Sequence, residues 1–131
     1  MSDENVAIVQ RAIEAFNADG LDGLVAYSTE DIVTYAIPEW LEDDEYHGPD
    51  GLRKVLAWQY VFDRLVWEPL ELRAVGEQVV VHARLSGETK TGGELQQEFG
   101  ALCARIRDGK VGELRFFRTW QEALDAAGVE G

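Results

Sequence analysis

The apolar residues of this chain change their spacing once, near Trp67, and that change constrains the fold more than any other feature. Before it, Val6, Val9, Ile13 and Phe16 recur three or four positions apart, the spacing of one helix face. After it, apolar and polar residues alternate, as in strands with one buried face. Helices followed by a run of strands argue an α+β architecture.

The element boundaries follow from local chemistry. Ser2, with Asp3 and Glu4, starts a first helix with an N-cap hydroxyl and acids at the positive end of the dipole. It runs to about Asn17 and stops at Asp19-Gly20. Leu21 to Tyr27 reads as a short second helix, and Asp31 to Ile37 as a strand closed by Pro38. His47-Gly48-Pro49-Asp50-Gly51 opens a third helix, with Pro49 in the first turn where a missing N–H does no harm. Its apolar faces are Leu52, Val55, Leu56, Trp58, Val61 and Phe62. Four strands follow, Pro69 to Val75, Val79 to Leu85, Gln96 to Arg107 and Lys110 to Arg118. Gly76-Glu77 and Asp108-Gly109 make hairpin turns, and Gly92-Gly93 a longer connection. Thr119-Trp120-Gln121-Glu122 is a capping box for a last helix, Glu122 to Ala127, ended by Gly128. The expected fold is three helices packed in the concave face of a curved, mostly antiparallel sheet, plus a short C-terminal helix. Such a cone has an open end that can admit a ligand.

At 131 residues the chain suits one domain, residues 1–131. Area scaling gives about 6,900 Å² exposed when folded against about 21,000 Å² unfolded, enough for a core with one internal pocket. No run of eighteen apolar residues is present, and the acidic start MSDENVAIVQ is unlike a secretory signal, so a cytoplasmic protein is expected. The lone Cys103 excludes an internal disulfide and a cysteine-based zinc site. Of the net charge of -13, residues 1–50 carry 13 acids against the single base Arg11. That distribution disfavours nucleic acid and anionic membrane surfaces as partners. The run Glu39, Glu42, Asp43, Asp44 and Glu45 lacks the alternation and glycine of a calcium loop and reads as a solvated loop.

In order and spacing the chain resembles the nuclear-transport-factor-2-like superfamily, in its SnoaL-like branch. The residues that carry the resemblance are Val9-Gln10-Arg11, Phe16-Asn17, Leu21-Asp22, Glu30-Asp31, Tyr46-His47-Gly48 and Gly51-Leu52-Arg53. They continue with Val79-Val80-Val81, Arg84, Arg107-Asp108-Gly109-Lys110-Val111 and Glu122-Ala123-Leu124-Asp125-Ala126-Ala127-Gly128. The fold hosts isomerases, cyclases, dehydratases, epoxide hydrolases and non-enzymes, so it does not name an activity. Where related ketosteroid isomerases carry a tyrosine, an aspartate base and a protonated aspartate, this chain has Ala12, Ala36 and, give or take one residue, Leu102. Where limonene epoxide hydrolases carry an aspartate–arginine–aspartate relay, it has approximately His82, Arg84 and Phe116. Neither mechanism carries over.

Two readings of the fourth strand remain open. Simple alternation puts Val79, Val81, Ala83 and Leu85 on the core and His82 with Arg84 in solvent. The resemblance instead implies that His82 and Arg84 face the cavity. There His82 would be the general acid/base and Arg84 would hold a ligand carbonyl or carboxylate. It likewise implies that Glu98, Gly100, Leu102 and Ala104 turn inward, with Leu114, Phe116 and Arg118. Phe99, Ala101, Cys103 and Arg105 then lie outside. Glu98 is thus either a buried base or a rim carboxylate. His47 suits local hydrogen bonding in its turn. Two histidines without a third ligand make no metal site, and no phosphate-cradling loop or nucleophile elbow appears, so neither metal nor organic cofactor is expected.

Phe16, Trp40, Trp58, Phe62 and Phe116 come from separate elements and, with Leu102 and Leu114, are the expected pocket lining; ordinary core packing is the alternative for each. Phe99, Cys103 and Phe117 would form an outer apolar patch, through which a homodimer is expected. The chain is thus expected to hold a hydrophobic, largely neutral small molecule. It either catalyses a proton transfer such as isomerisation, cyclisation or dehydration, or serves as a non-catalytic binding or interaction module.

Overall fold

The computed structural model describes residues 2–36, 45–57 and 62–128. Two helices come first, α1 (Ser2–Asp19) and α2 (Leu21–Ala26), joined at Gly20 with its positive φ of 69°. Strands β1 (Ser28–Tyr35) and β2 (Glu45–His47) precede α3 (Gly48–Val55). Then come β3 (Phe62–Val75), β4 (Gln78–Thr89), β5 (Glu94–Ala104), β6 (Val111–Phe117) and α4 (Trp120–Ala127). The strands form one curved six-stranded sheet in the order β2-β1-β6-β5-β4-β3. Every pairing is antiparallel except β1 with β6, which brings the first strand beside the last.

The α+β reading holds, with shifted boundaries. The third helix ends at Val55, and β3 begins at Phe62, well ahead of the expected Pro69. The period of two misses this because β3 carries a bulge between Pro69 and Glu71. An extra residue there flips the alternation, so Leu65 and Trp67 before it and Leu72 after it all pack on one core. Leu70, at the bulge, is left exposed. Pro69 is tolerated because β3 is an edge strand. The short β2 lies at the end of the acidic run read as loop, and it pairs with β1 from Val33 to Tyr35.

The turns behave as their residues dictate. Asp108 and Gly109 both take positive φ, 53° and 76°, the backbone of a tight hairpin matching strand twist. Thr119 Oγ1 accepts from Glu122 N at 3.1 Å, and Gly128 closes α4 in the left-handed region.

Two cores result, one on each face of the sheet. The larger joins Val9, Ile13 and Phe16 of α1, and Leu52 and Val55 of α3 with Leu56 just after it, to Val79, Val81, Ala83 and Leu85 of β4. The smaller places Ala123 and Leu124 of α4 on Val80 and Leu102, so α4 covers the opposite face. No helix among the described residues is long and apolar enough to cross a membrane.

Candidate functional site

The larger core is not completely filled. A cavity of about 40 Å³ lies between α1 and the sheet, above the ~10–15 Å³ that one water requires. Val9, Ala12 and Ile13 wall it from α1, because positions three and four apart share a helix face. Ser28 and Ile32 close it from β1, and Trp67 from β3. Val81, Phe99, Ala101, Cys103 and Leu114 form its floor on β4, β5 and β6.

The surface it presents is hydrocarbon throughout, and the polar groups of its wall residues are turned away or covered. Ser28 Oγ donates to the Leu24 carbonyl at 2.9 Å, so its proton is already used. Burial pushes the Cys103 thiol up to about 12, so it stays protonated and unreactive near neutrality. The indole Nε1–H of Trp67 has no hydrogen-bond partner, although the residue is only 6% exposed. Trp67 also centres an aromatic cluster. Phe16 lies 4.8 Å from it, Phe99 5.2 Å and Phe116 6.0 Å between ring centroids, the last two edge-on. Its backbone is fixed by Asn17 at the end of α1: Asn17 Nδ2 donates to the Trp67 carbonyl and Trp67 N–H donates to Asn17 Oδ1, both at 2.9 Å.

The expected acid/base residues lie elsewhere. Val79, Val81 and Ala83 point into the larger core, so His82 and Arg84, alternating with them, point out. On β5 the register sets Cys103 opposite Val79, Ala101 opposite Val81 and Phe99 opposite Ala83. Phe99, Ala101 and Cys103 therefore share the cavity face, and Glu98, Gly100 and Leu102 the other. This corrects the inward orientation that the resemblance implied for His82, Arg84, Glu98 and Leu102. The inward set was one residue out of phase, and a one-residue slip turns every side chain over. Burial of four consecutive inward apolar residues on β4 decides the phase.

On that outer face His82 and Glu98 do meet. His82 Nε2 lies 2.7 Å from Glu98 Oε1, and the His82 ring stacks on Trp120 of α4 at 5.2 Å and 18°. The Arg73 guanidinium also lies over the Trp120 ring, 5.7 Å from its centroid. Arg84 Nη1 donates to Glu68 Oε2 at 3.4 Å. The His82 side chain is 22% exposed, Arg84 41% and Glu98 53%, so this is a wet, half-open cluster that buttresses α4.

Of the expected lining, Leu114 is on the cavity wall, and Phe16 and Phe116 reach it through Trp67. Leu102 is buried beneath α4 instead. Trp40 and Trp58 lie outside the described residues, as does the Phe62 side chain. Ala12, where a related tyrosine would stand, is on the wall, and Ala36 is buried in the same core. The expected outer patch is also corrected: Phe99 and Cys103 belong to the cavity side, leaving only Phe117, which packs beside α4. The homodimer expectation thereby loses two of its three named residues. His47 Nε2 sits 3.0 Å from Glu45 Oε1, a contact within β2. Among the described residues no group of three His, Cys, Asp or Glu side chains could hold a metal.

Sequence reasoning missed Trp67 and Phe99 as lining. The signal for Phe99 was present, in its alternation with Glu98 and Gly100 on a strand paired to Val79–Leu85.

Solved structures share this architecture. A candidate polyketide cyclase from Xanthomonas campestris pv. campestris superposes with a TM-score of 0.74 at 19% identity, covering 96% of this chain and 98% of that one. A candidate SnoaL-like polyketide cyclase from Jannaschia sp. CCS1 gives 0.73 at 20% identity, over 99% and 95%. TerC, co-crystallised with polyporic acid, gives 0.73 at 16% identity, over 95% and 98%. Identities this low show the fold alone. No protein with a curated description matches the chain. The family model of the SnoaL-like domain matches residues 9–114, and on that match the chain belongs to the SnoaL-like domain family.

Proposed function

We propose that this protein binds a small, largely apolar, neutral molecule in the cavity between α1 and the sheet, without an acid/base residue of its own among the described lining. The observation that carries this reading is the lining itself: aliphatic and aromatic side chains, one hydroxyl already engaged, and one thiol held protonated. A cavity walled by hydrocarbon favours an apolar guest over water, and at about 40 Å³ this one must widen to admit a ring. The complex of TerC with polyporic acid supports a small-molecule role for the fold, as do the two candidate polyketide cyclases. Catalytic roles for His82, Arg84 and Glu98 are not carried forward, because their side chains are on the far face of the sheet from the cavity. Of the two functions expected from the sequence, the non-catalytic binding module is therefore the better supported.

The test is ligand-observed NMR with benzene, indole and naphthalene, together with native mass spectrometry of the freshly purified protein for a retained guest. Saturable binding of at least one ring compound is expected, with loss of that binding in Ala101→Leu, which fills the cavity. Folded wild-type protein that binds none of the three overturns the proposal.

A further inference from the structure

The cavity between α1 and the sheet has one thin place in its wall. Every wall residue among those described is buried except Leu24 of α2, which is half-buried and so stands between the cavity and solvent. The other walls have little freedom to yield. Val81, Phe99, Ala101, Cys103 and Leu114 belong to three strands paired with one another, and α4 backs those strands from the far side. Trp67 is held by Asn17 through its backbone and by Phe16, Phe99 and Phe116 round its ring.

The backbone of α2 is held as well. A Cβ on Gly23 would collide with the Ala15 carbonyl oxygen, so α1 and α2 meet backbone to backbone. The Leu24 carbonyl accepts from Ser28 Oγ at 2.9 Å, and Arg53 Nη2 donates to Asp22 Oδ1 at 2.7 Å. What remains free to move is the Leu24 side chain. Leucine has alternative staggered rotamers, and part of this one's surface already faces water, so a turn outward meets solvent. That turn breaches the wall and adds the volume it vacates to the cavity of about 40 Å³, which is the room a ring needs.

We infer that Leu24 is the gate of this cavity: its isobutyl group turns out to let a ring compound enter and leave, while the backbone of α2 stays in place. The inference rests on the cavity-binding reading above and adds to it the route and the room.

The experiment measures how fast benzene enters and leaves wild type, Leu24→Ala and Leu114→Ala, by NMR lineshape and saturation transfer. Leu114→Ala deletes the same side chain from a buried part of the wall, so it enlarges the cavity without opening it. Both rates are expected to rise about tenfold in Leu24→Ala, the rate equivalent of no longer exposing part of a leucine to water. In Leu114→Ala the affinity should change and the entry rate should not. Methyl relaxation dispersion on ¹³C-labelled wild type needs no variant to fold: the Leu24 methyls should exchange between two rotamers, and benzene should shift the balance to the outward one. Entry into Leu24→Ala no faster than into Leu114→Ala, or Leu24 methyls that keep one rotamer when benzene binds, overturns the inference and leaves the cavity reading standing. Wild type that binds no benzene overturns the gate and removes its support from the cavity reading together.

Discussion

The side-chain amide of Asn17 completes the backbone hydrogen bonding of Trp67, taking its N–H and serving its carbonyl at 2.9 Å each. Trp67 lies on β3, an edge strand with no further strand beside it among the described residues, and Asn17 takes the hydrogen bonds such a strand would make. Asn17→Ala strips both groups of their partner and should cost about 1–3 kcal/mol, read as a lower urea midpoint. Asn17→Asp keeps the acceptor but sets a carboxylate against the Trp67 carbonyl, and should be no more stable than the alanine variant. An unchanged midpoint in Asn17→Ala would show that the clamp contributes nothing.

Gly100 marks how tightly α4 is seated. A Cβ there would come within 2.6 Å of the Thr119 carbonyl oxygen and 2.8 Å of the Ala123 Cβ. Gly100→Ala should therefore lift α4 and cost about 1–3 kcal/mol by overpacking. Amide exchange should rise across residues 120–127 while binding in the cavity on the other face persists. Unaltered protection of α4 would count against this seating.

The outer cluster should matter for α4 and not for the cavity. His82→Ala removes the ring stacked on Trp120 and should destabilise by about 1 kcal/mol, with a red shift in tryptophan emission. Affinity for a cavity probe should stay within about twofold, since a site on the opposite face is more than one contact away. A tenfold loss of affinity would place His82 in the binding machinery after all.

Cys103 predicts an alkaline limit. Its thiol is raised from 9.0 to about 12 by burial, so the unfolded chain gives up this proton first. Stability from this group is intact below pH 9 and falls by about 1 kcal/mol per pH unit between 9 and 12. Cys103→Ala should remove that slope from a series of urea titrations at rising pH. At pH 8, a water-soluble thiol reagent should label native protein only at the rate of opening, and denatured protein at once.

Asp31 predicts the acid side. Both its oxygens accept from Arg107 Nη2 at 2.7 Å, and this bond holds the Asp31 carboxyl below its ordinary value. A lowered carboxyl pKa adds stability above the unfolded value and loses it as pH falls through the folded one. The pair is open to solvent, so the effect is small and screened by salt. Asp31→Asn should lower Tm slightly at pH 7, with the difference vanishing in 1 M salt and below pH 3. A difference that survives high salt would point to packing instead of charge.

The change of period at Trp67, the proline at the third helix and the capping box at Thr119 were enough to read the fold class. The boundaries slipped where tertiary pairing overrode local pattern. Phe62 to Glu68 alternates poorly, yet becomes strand because β4 offers it a partner along its whole length. The orientation of β4 and β5 was legible in Val79, Val81, Ala83 and Leu85, where simple alternation gave the right face and the resemblance did not. The site was harder to see. Nothing local in the sequence announces that Trp67 has a spent backbone and an unspent indole, because both facts depend on a helix fifty residues away.

Thr34 of β1 meets Leu114 of β6 in a parallel pair that joins strands 80 residues apart in sequence. On the ribosome, β1 therefore emerges long before its partner exists, and its inward residues, Ile32 among them, must wait until β6 has been made. Such distant pairing makes closure slow relative to the β3–β4–β5 meander, whose strands pair with their sequence neighbours. A chain truncated before β6 leaves β1 with a bare hydrogen-bonding edge towards the missing strand, a natural target for chaperones and proteases.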